Sequence, residues 1–265
     1  MAQLLIIPDR KNIQQSLDLA RQYDAAFEYN DFFWPPLLEN EIAIQDAVDF
    51  YRSLPRDRSR DTLHGVFLDI TPHSDDPQIA AVSRRRIRQS LDIAAALGVK
   101  GVVFHTNFIP NFRDEKYMDN FVARNAALWR ELLADYPTLE IYIENMFDET
   151  PDLLARLAAA MADHPRFGVC FDYAHAMVFG QKAPIGQWVA ALAPYVRHMH
   201  INDNDFSVDR HWAVGSGRID WQEYQRFMTE TQADRSVLVE VSAPGTREQS
   251  LRYLRENGLY PFPAP

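Results

Sequence analysis

The chain has 265 residues, 47% of them hydrophobic and 24% charged, with 16 prolines; this excludes a disordered or low-complexity protein and suits one large core. No apolar run approaches the roughly 20 residues that span a bilayer, and the stretch 1–8 lacks a basic segment and meets Asp9 too early for a signal peptide, so a cytoplasmic protein free of membranes is expected. A net charge of −10 opposes broad contact with phosphate backbones, which makes nucleic acid an unlikely partner.

Short apolar runs alternate with amphipathic stretches along the whole chain. Strand 4–8 precedes helix 12–23, strand 25–30 precedes helix 41–54, and strand 62–67 precedes the long helix 79–97, which Gly98 stops. The basic run Ser83-Arg-Arg-Arg-Ile-Arg88 falls in that helix opposite Ile79, Val82, Ile87 and Leu91, and reads as a solvated face. Strand 102–106 precedes helix 117–135, and strand 140–145 precedes helix 151–163, where Thr150-Pro-Asp has the form of a capped start. Strand 168–172 precedes helix 185–192, strand 196–203 precedes 221–231, and strand 236–241 precedes 248–256. Eight strand-helix units in this order are the pattern of a single-domain α/β protein, a (β/α)8 TIM barrel over residues 1–265. The competing open doubly wound sheet would carry a Gly-x-Gly-x-x-Gly turn after its first strand, and none is present.

Metal-type side chains sit at or just past the ends of six of these strands: His64, His105, Glu144, Asp172 with His175, His200 with Asp203, and Glu240. In a barrel those ends share one basin. Period-two alternation sets Tyr142 and Glu144 opposite Ile141 and Ile143, and Leu238 and Glu240 opposite Val237, Val239 and Val241. With the β-branched residues towards the helices, Glu144, Asp172, His200 and Glu240 face the axis. Buried charges of this kind need a partner, and a divalent ion supplies one. Oxygen and nitrogen donors suit Mn, Co, Mg or Zn. The only cysteine, Cys170, excludes an intramolecular disulfide and reads as a small inward packing residue. His64, His105, His175, Asp209 and His211 surround the inner four and either bind substrate hydroxyls or hold further ions. His73, His164 and His198 fall outside this set. Trp129 and Trp188 are expected in the core, and Glu28 and Trp34 are placed at the rim of the pocket.

Ile143-Glu-Asn145, Val169-Cys-Phe-Asp-Tyr-Ala-His-Ala176, His198-Met-His-Ile-Asn-Asp203 and Asp209-Arg-His-Trp-Ala-Val-Gly-Ser-Gly217 together resemble the xylose isomerase-like barrels, a superfamily of sugar isomerases, ketose 3-epimerases and endonuclease IV-type apurinic endonucleases. For the epimerase-like members the resemblance implies one metal on Glu144, Asp172, His200 and Glu240, with Glu144 and Glu240 as catalytic groups that exchange a proton with a small carbohydrate through an enediolate. For the endonuclease branch it implies three zinc ions on those four together with His64, His105, His175, Asp209 and His211. The loops Tyr29-Asn-Asp-Phe-Phe-Trp-Pro-Pro36 and Asp69-Ile-Thr-Pro-His-Ser-Asp-Asp76 are aromatic or acidic, where the endonucleases carry DNA-contacting basic and glutamine residues, and Ser216 stands where many relatives have glutamate. The expected activity is therefore a metal-dependent sugar isomerase or epimerase, with a multi-zinc phosphodiesterase as the alternative and a non-catalytic binding barrel as the third reading.

Overall fold

A strand whose inward and outward residues are both apolar must be covered on both sides, and the sequence supplies a helix after each strand to do so. In the computed structural model, which describes residues 3–108, 114–231, 235–241, 243 and 245–262, eight parallel strands close into a barrel. They are β1 Gln3–Ile6, β2 Ala25–Tyr29, β3 Thr62–His64, β4 Gly101–His105, β5 Glu140–Glu144, β6 Phe167–Asp172, β7 Val196–Ile201 and β8 Ser236–Val239, and β1 pairs with β8 to complete the ring. The helices are α1 Ile13–Tyr23, α2 Pro35–Leu38, α3 Glu41–Ser53, α4 Pro77–Leu97, α5 Glu115–Asp135, α6 Asp152–Ala160, α7 Tyr173–Val178, α8 Ile185–Leu192, α9 Trp221–Glu230 and α10 Thr246–Glu256.

The alternation divides the core as expected. Val102, Phe104, Ile141, Ile143, Val169 and Phe171 pack outward with the helices, where Trp129 and Trp188 are also buried. Val103, Tyr142 and Cys170 form a separate cluster inside the barrel, and Leu5, Ala26 and Leu238 another. Glu144 and Asp172 share the inward parity of Tyr142 and Cys170. The basic face of α4 is solvated and paired: Arg84 and Arg88 meet Glu131, Arg88 also meets Asp135, and Arg86 meets Glu39.

Several boundaries differ from the sequence expectation for local reasons. β3 ends at His64, and Gly65 follows it so close to Phe104 that a Cβ there would collide with its ring. β7 ends at Ile201 because Asp203 turns away to form an antiparallel bridge with Trp212. The Thr150-Pro-Asp start is not a side-chain cap: α6 begins at Asp152 behind Pro151, and the Thr150 hydroxyl donates to the Asp152 carboxylate instead. In contrast, α4 ends as Gly98 leads one to expect, with Gly98 at φ 71°; it starts two residues earlier than the sequence reading, at Pro77, with Asp76 accepting from the Gln78 and Ile79 N–H groups. The helices α2 and α7 are too short to show a helical period in the sequence.

Asp61 ties β2 to the entry of β3. It is wholly buried, and its Oδ1 accepts from the Phe27 N–H at 2.8 Å and from Arg56 at 2.8 Å, while Oδ2 accepts from the Tyr29 hydroxyl at 2.7 Å. Removing it leaves the guanidinium and a strand N–H without their acceptor. Asp61→Ala is therefore expected to lower stability by about 3 kcal/mol or more, read as a fall in the urea midpoint at unchanged slope.

Candidate metal centre

Strand register brings the ligand-type residues together. His105 lies beside Glu144 across β4 and β5, and Asp172 beside His200 across β6 and β7. Glu240 follows β8, where its N–H donates to the Ile201 carbonyl at 2.9 Å. Glu144, Asp172, His200 and Glu240 are buried, and one donor atom of each lies within 4.8 Å of the others. His200 Nδ1 is the centre of this inner set, 3.3 Å from Glu144 Oε2 and 3.4 Å from Glu240 Oε2.

The other five residues close around it. His175 Nε2 lies 3.3 Å from Asp209 Oδ2, and His211 Nε2 lies 2.7 Å from the same oxygen. His64 Nε2 and His105 Nε2 face each other at 3.2 Å, and they stand 3.7 and 3.4 Å from Glu144 Oε2. Three of these imidazoles are aimed by backbone carbonyls, which can only accept: Nδ1 of His64 donates to Gly65, Nδ1 of His175 to Asn145, and Nδ1 of His211 to Glu240. Each Nε2 is thereby left as the ligating nitrogen, the arrangement usual behind a metal. A cavity of about 630 Å³ opens over the centre, lined by Phe33, Phe67, Met146 and Arg210 among others. A larger groove of about 890 Å³ beside it, between Asp69, Asn107, Phe147 and Lys182, contains none of the ligand-type residues.

The donors fit divalent ions. Buried Glu144 Oε1 and Oε2, Asp172 Oδ2, His200 Nδ1, Asp209 Oδ1 and Glu240 Oε2 have no hydrogen-bond partner among the described residues, a costly state unless a cation meets them. The inner set offers three carboxylates and one imidazole, and His175, Asp209 and His211 offer one carboxylate and two imidazoles. A group formed by Cys170, His198 and His200 also satisfies the distances, but His198 is already engaged through both nitrogens, by Ser236 at 2.6 Å and Glu28 at 3.0 Å, so it is not a site.

Electrostatics follow from the burial. Desolvation works against the Glu144 carboxylate, yet His200 and His105 hold it well below the usual range. Burial pushes Asp172 up to about 7, His175 pulling against it and Glu144 and Glu240 adding to it. Desolvation opposes charge on His211, but Glu240 and Asp209 raise it to about 10. His175 and His200 are raised well above the ordinary imidazole value against the same desolvation, His175 by Asp172 and Asp209, His200 by Cys170, Glu144 and Glu28.

Some positioning residues carry no chemical signal of their own. Asn145 clamps β5 to β6: its Nδ2 donates to the Asp172 carbonyl at 2.9 Å, and the Asp172 N–H donates to its Oδ1 at 3.0 Å. Asp172 Oδ1 caps α7 by accepting from the His175 N–H at 2.6 Å, which leaves Oδ2 for the centre; Asp-x-x-His after a strand is a capping spacing the sequence does contain. Asp203, grouped with the strand-end ligands in the sequence, is instead the keystone of the β7 loop. It accepts from the N–H groups of Asn204, Gly215 and Ile219 and from Trp221 Nε1 at 2.9 to 3.2 Å. A Cβ on Gly217 would collide with its Oδ1. Glu28 does not line the pocket rim but lies wholly buried beneath His200, and His198 lies beside it. Trp34 is 53% exposed, and the aromatic that reaches the cavity from that loop is Phe33.

Two outcomes are expected. Because neighbouring carboxylates raise His175, His200 and His211 and so favour protons that an ion must displace, zinc binding should release protons. Apparent affinity should therefore rise with pH, tested by calorimetry in buffers of different ionisation enthalpy. Asp203→Ala should loosen the loop carrying Asp209 and His211 and lower metal affinity at that set roughly 10-fold or more, with the inner set still loaded by elemental analysis.

The chain matches the family model described as xylose isomerase-like TIM barrel over residues 17–257. It is 26% identical over 206 residues to a probable endonuclease 4 of Mycobacterium ulcerans, covering 73% of this chain and 77% of that protein. It is also 26% identical over 188 residues to the uncharacterized protein MJ1311 of Methanocaldococcus jannaschii, covering 67% of this chain and 63% of that one. Among solved structures, the TTHB071 protein of Thermus thermophilus, soaked with zinc chloride, superposes with TM-score 0.70 at 27% identity over 97% of both chains. A D-tagatose 3-epimerase-like protein shares the fold with TM-score 0.73 at 20% identity over 95% of this chain and 96% of its own. A matched span that takes in β2 to β8 and all nine converging side chains places this chain in the xylose isomerase-like TIM barrel family.

Proposed function

We propose that this chain is a metal-dependent hydrolase of a small phosphoester, with up to three divalent ions held by Glu144, Asp172, His200 and Glu240, by His175, Asp209 and His211, and by His64 and His105 sharing Glu144. The observation that carries this reading is the separate closure of His175, Asp209 and His211, with both Nε2 atoms on one Asp209 oxygen. A single-ion site has no need of it. The identity to a probable endonuclease 4 supports the same reading. Bound ions would supply Lewis-acid charge to the phosphoryl oxygens and acidify water. The protein's own groups do the rest. Arg210, paired with Asp205 at 3.4 Å, lines the cavity, and Phe33 and Phe67, 4.8 Å apart between ring centroids, offer an apolar wall to a sugar or base face. Water adds to phosphorus as the ester P–O bond breaks; Glu240, at the cavity edge, accepts one water proton and returns it to the leaving alkoxide oxygen. Net charge and the acidic, aromatic mouth loops favour a small substrate over duplex nucleic acid.

The sugar isomerase or epimerase is the second reading, favoured by one feature: Glu144 and Glu240 flank the same His200 nitrogen at 3.3 and 3.4 Å and are suited to remove and return a proton on either side of one carbon. In that case His64, His105, His175, Asp209 and His211 bind substrate hydroxyls. Elemental analysis of the purified protein separates the two: three ions per chain with chelator-sensitive hydrolysis of bis(4-nitrophenyl) phosphate are expected, whereas one ion with solvent deuterium entering a sugar would establish the second reading. Asp209→Asn should cut hydrolysis on the order of 100-fold or more; if it instead leaves turnover intact, the multi-ion reading is wrong.

A further inference from the structure

Beneath the centre lies a buried carboxylate that touches no proposed ion or substrate. Glu28, on the inward face of β2, is wholly buried, and its contacts are imidazoles and a hydroxyl. Oε1 lies 3.1 Å from His200 Nε2; Oε2 lies 3.0 Å from His198 Nε2 and accepts from the Thr62 hydroxyl at 2.6 Å. Register places Thr62 directly opposite Glu28, and Ser236 holds the far nitrogen of His198 at 2.6 Å. Among the described residues no guanidinium or ammonium group pairs with this charge.

The geometry distinguishes His200 from His64, His175 and His211. His64, His175 and His211 each give Nδ1 to a backbone carbonyl and present Nε2. His200 differs: its Nε2 lies 3.1 Å from Glu28 Oε1 in an ion-pair contact, and its Nδ1 lies 3.3 and 3.4 Å from Glu144 and Glu240. A carboxylate this close behind an imidazole makes the ligating nitrogen more basic and adds a negative charge close to the ion. The inner set already holds three carboxylates against one at His175, Asp209 and His211.

We propose that Glu28 is a positioning residue that makes the inner set, Glu144, Asp172, His200 and Glu240, the tight site that fills first, with His175, Asp209 and His211 filling after it. The inference rests on the inner set holding an ion. Thr62 and His198 keep Glu28 from rotating away, so the control runs from β2, β3 and β7 into a single ligand nitrogen. The inward polar layer below the site thus sets its order of loading.

The test is competition titration of the metal-free full chain with zinc, followed by cobalt absorption spectra. The unaltered chain should show a tight class and a weaker class. Glu28→Gln should weaken the tight class by roughly 10- to 100-fold, leave the weaker class in place, and shift the cobalt bands, which a packing role alone would not do. Asp209→Asn should remove the ion held by His175, Asp209 and His211 from the weaker class and spare the tight one. Thr62→Val, which keeps the side-chain volume, should weaken the tight class in the same direction and serves if Glu28→Gln does not fold. Unchanged tight affinity in both Glu28→Gln and Thr62→Val, or loss of the tight class in Asp209→Asn, would overturn the inference while metal binding stands. Absence of zinc binding by the unaltered chain would overturn the metal reading together with it.

Discussion

Everything at the mouth of this barrel depends on one buried carboxylate. Glu144 is fully enclosed, and four imidazoles stand around it: His175 at 3.2 Å, His200 at 3.3 Å, His105 at 3.4 Å and His64 at 3.7 Å. An ionised group in that position costs several kcal/mol unless its field is answered locally. The answer comes from cations or from protons on the imidazoles, and those are alternatives competing for the same lone pairs. Carbonyls of Gly65, Asn145 and Glu240 fix three of the rings, so the competition takes place at defined nitrogens rather than among rotating side chains. The site is organised before anything binds, which removes an ordering cost from ion capture.

Barrel closure makes this possible with few residues. Glu28 and His198 are 170 positions apart and meet at 3.0 Å because β2 and β7 both turn their even-numbered faces to the axis. Where a strand ends, a polar residue takes over the geometry: Asn145 locks β5 against β6, Asp172 commits one oxygen to a helix cap, and Asp203 gathers the β7 loop so that His211, at φ 49°, reaches back to Glu240. Loop residues held by strand-end anchors are a common way for a rigid scaffold to present reactive groups.

The eight-unit pattern and the inward set of Glu144, Asp172, His200 and Glu240 are legible in the sequence because both follow from period-two alternation, which depends only on neighbouring residues. His64, His105, His175, Asp209 and His211 are visible as residue types at strand ends, and the structure brings them to the centre; whether they meet ions or hydroxyls depends on which nitrogen of each ring is free, and that is decided by carbonyls from other segments. Glu28 and His198 are the harder cases. Each is the inward residue one layer below the ligands, where a sequence presents an isolated charge or imidazole with no sign of its partner. Asp203 misleads for the opposite reason. It has the right type and place for a ligand, but its four hydrogen bonds run into its own loop.

On the proposed reading, the charge of the protein and the chemistry of its centre would pull in opposite directions, since an acidic chain repels the anion that a phosphoester hydrolase must admit. Magnitudes resolve the conflict. Surface charge acts through water and salt, where interactions beyond roughly 8 to 10 Å are largely screened. On the proposed reading, a divalent ion among His175, Asp209 and His211, with a single carboxylate, would leave a net positive subsite inside the cavity. The inner set, with three carboxylates, would not. The attraction is therefore short-ranged and placed on one side of the cavity. It can hold one anionic group but gives no track along which a polyanion could gain further contacts. A long nucleic acid would meet Asp69 and the exposed Phe147 and Trp212 outside this cavity, whereas a small phosphoester with a sugar or base face would end within reach of Phe33 and Phe67. Screening length and donor composition together favour the small substrate on physical grounds.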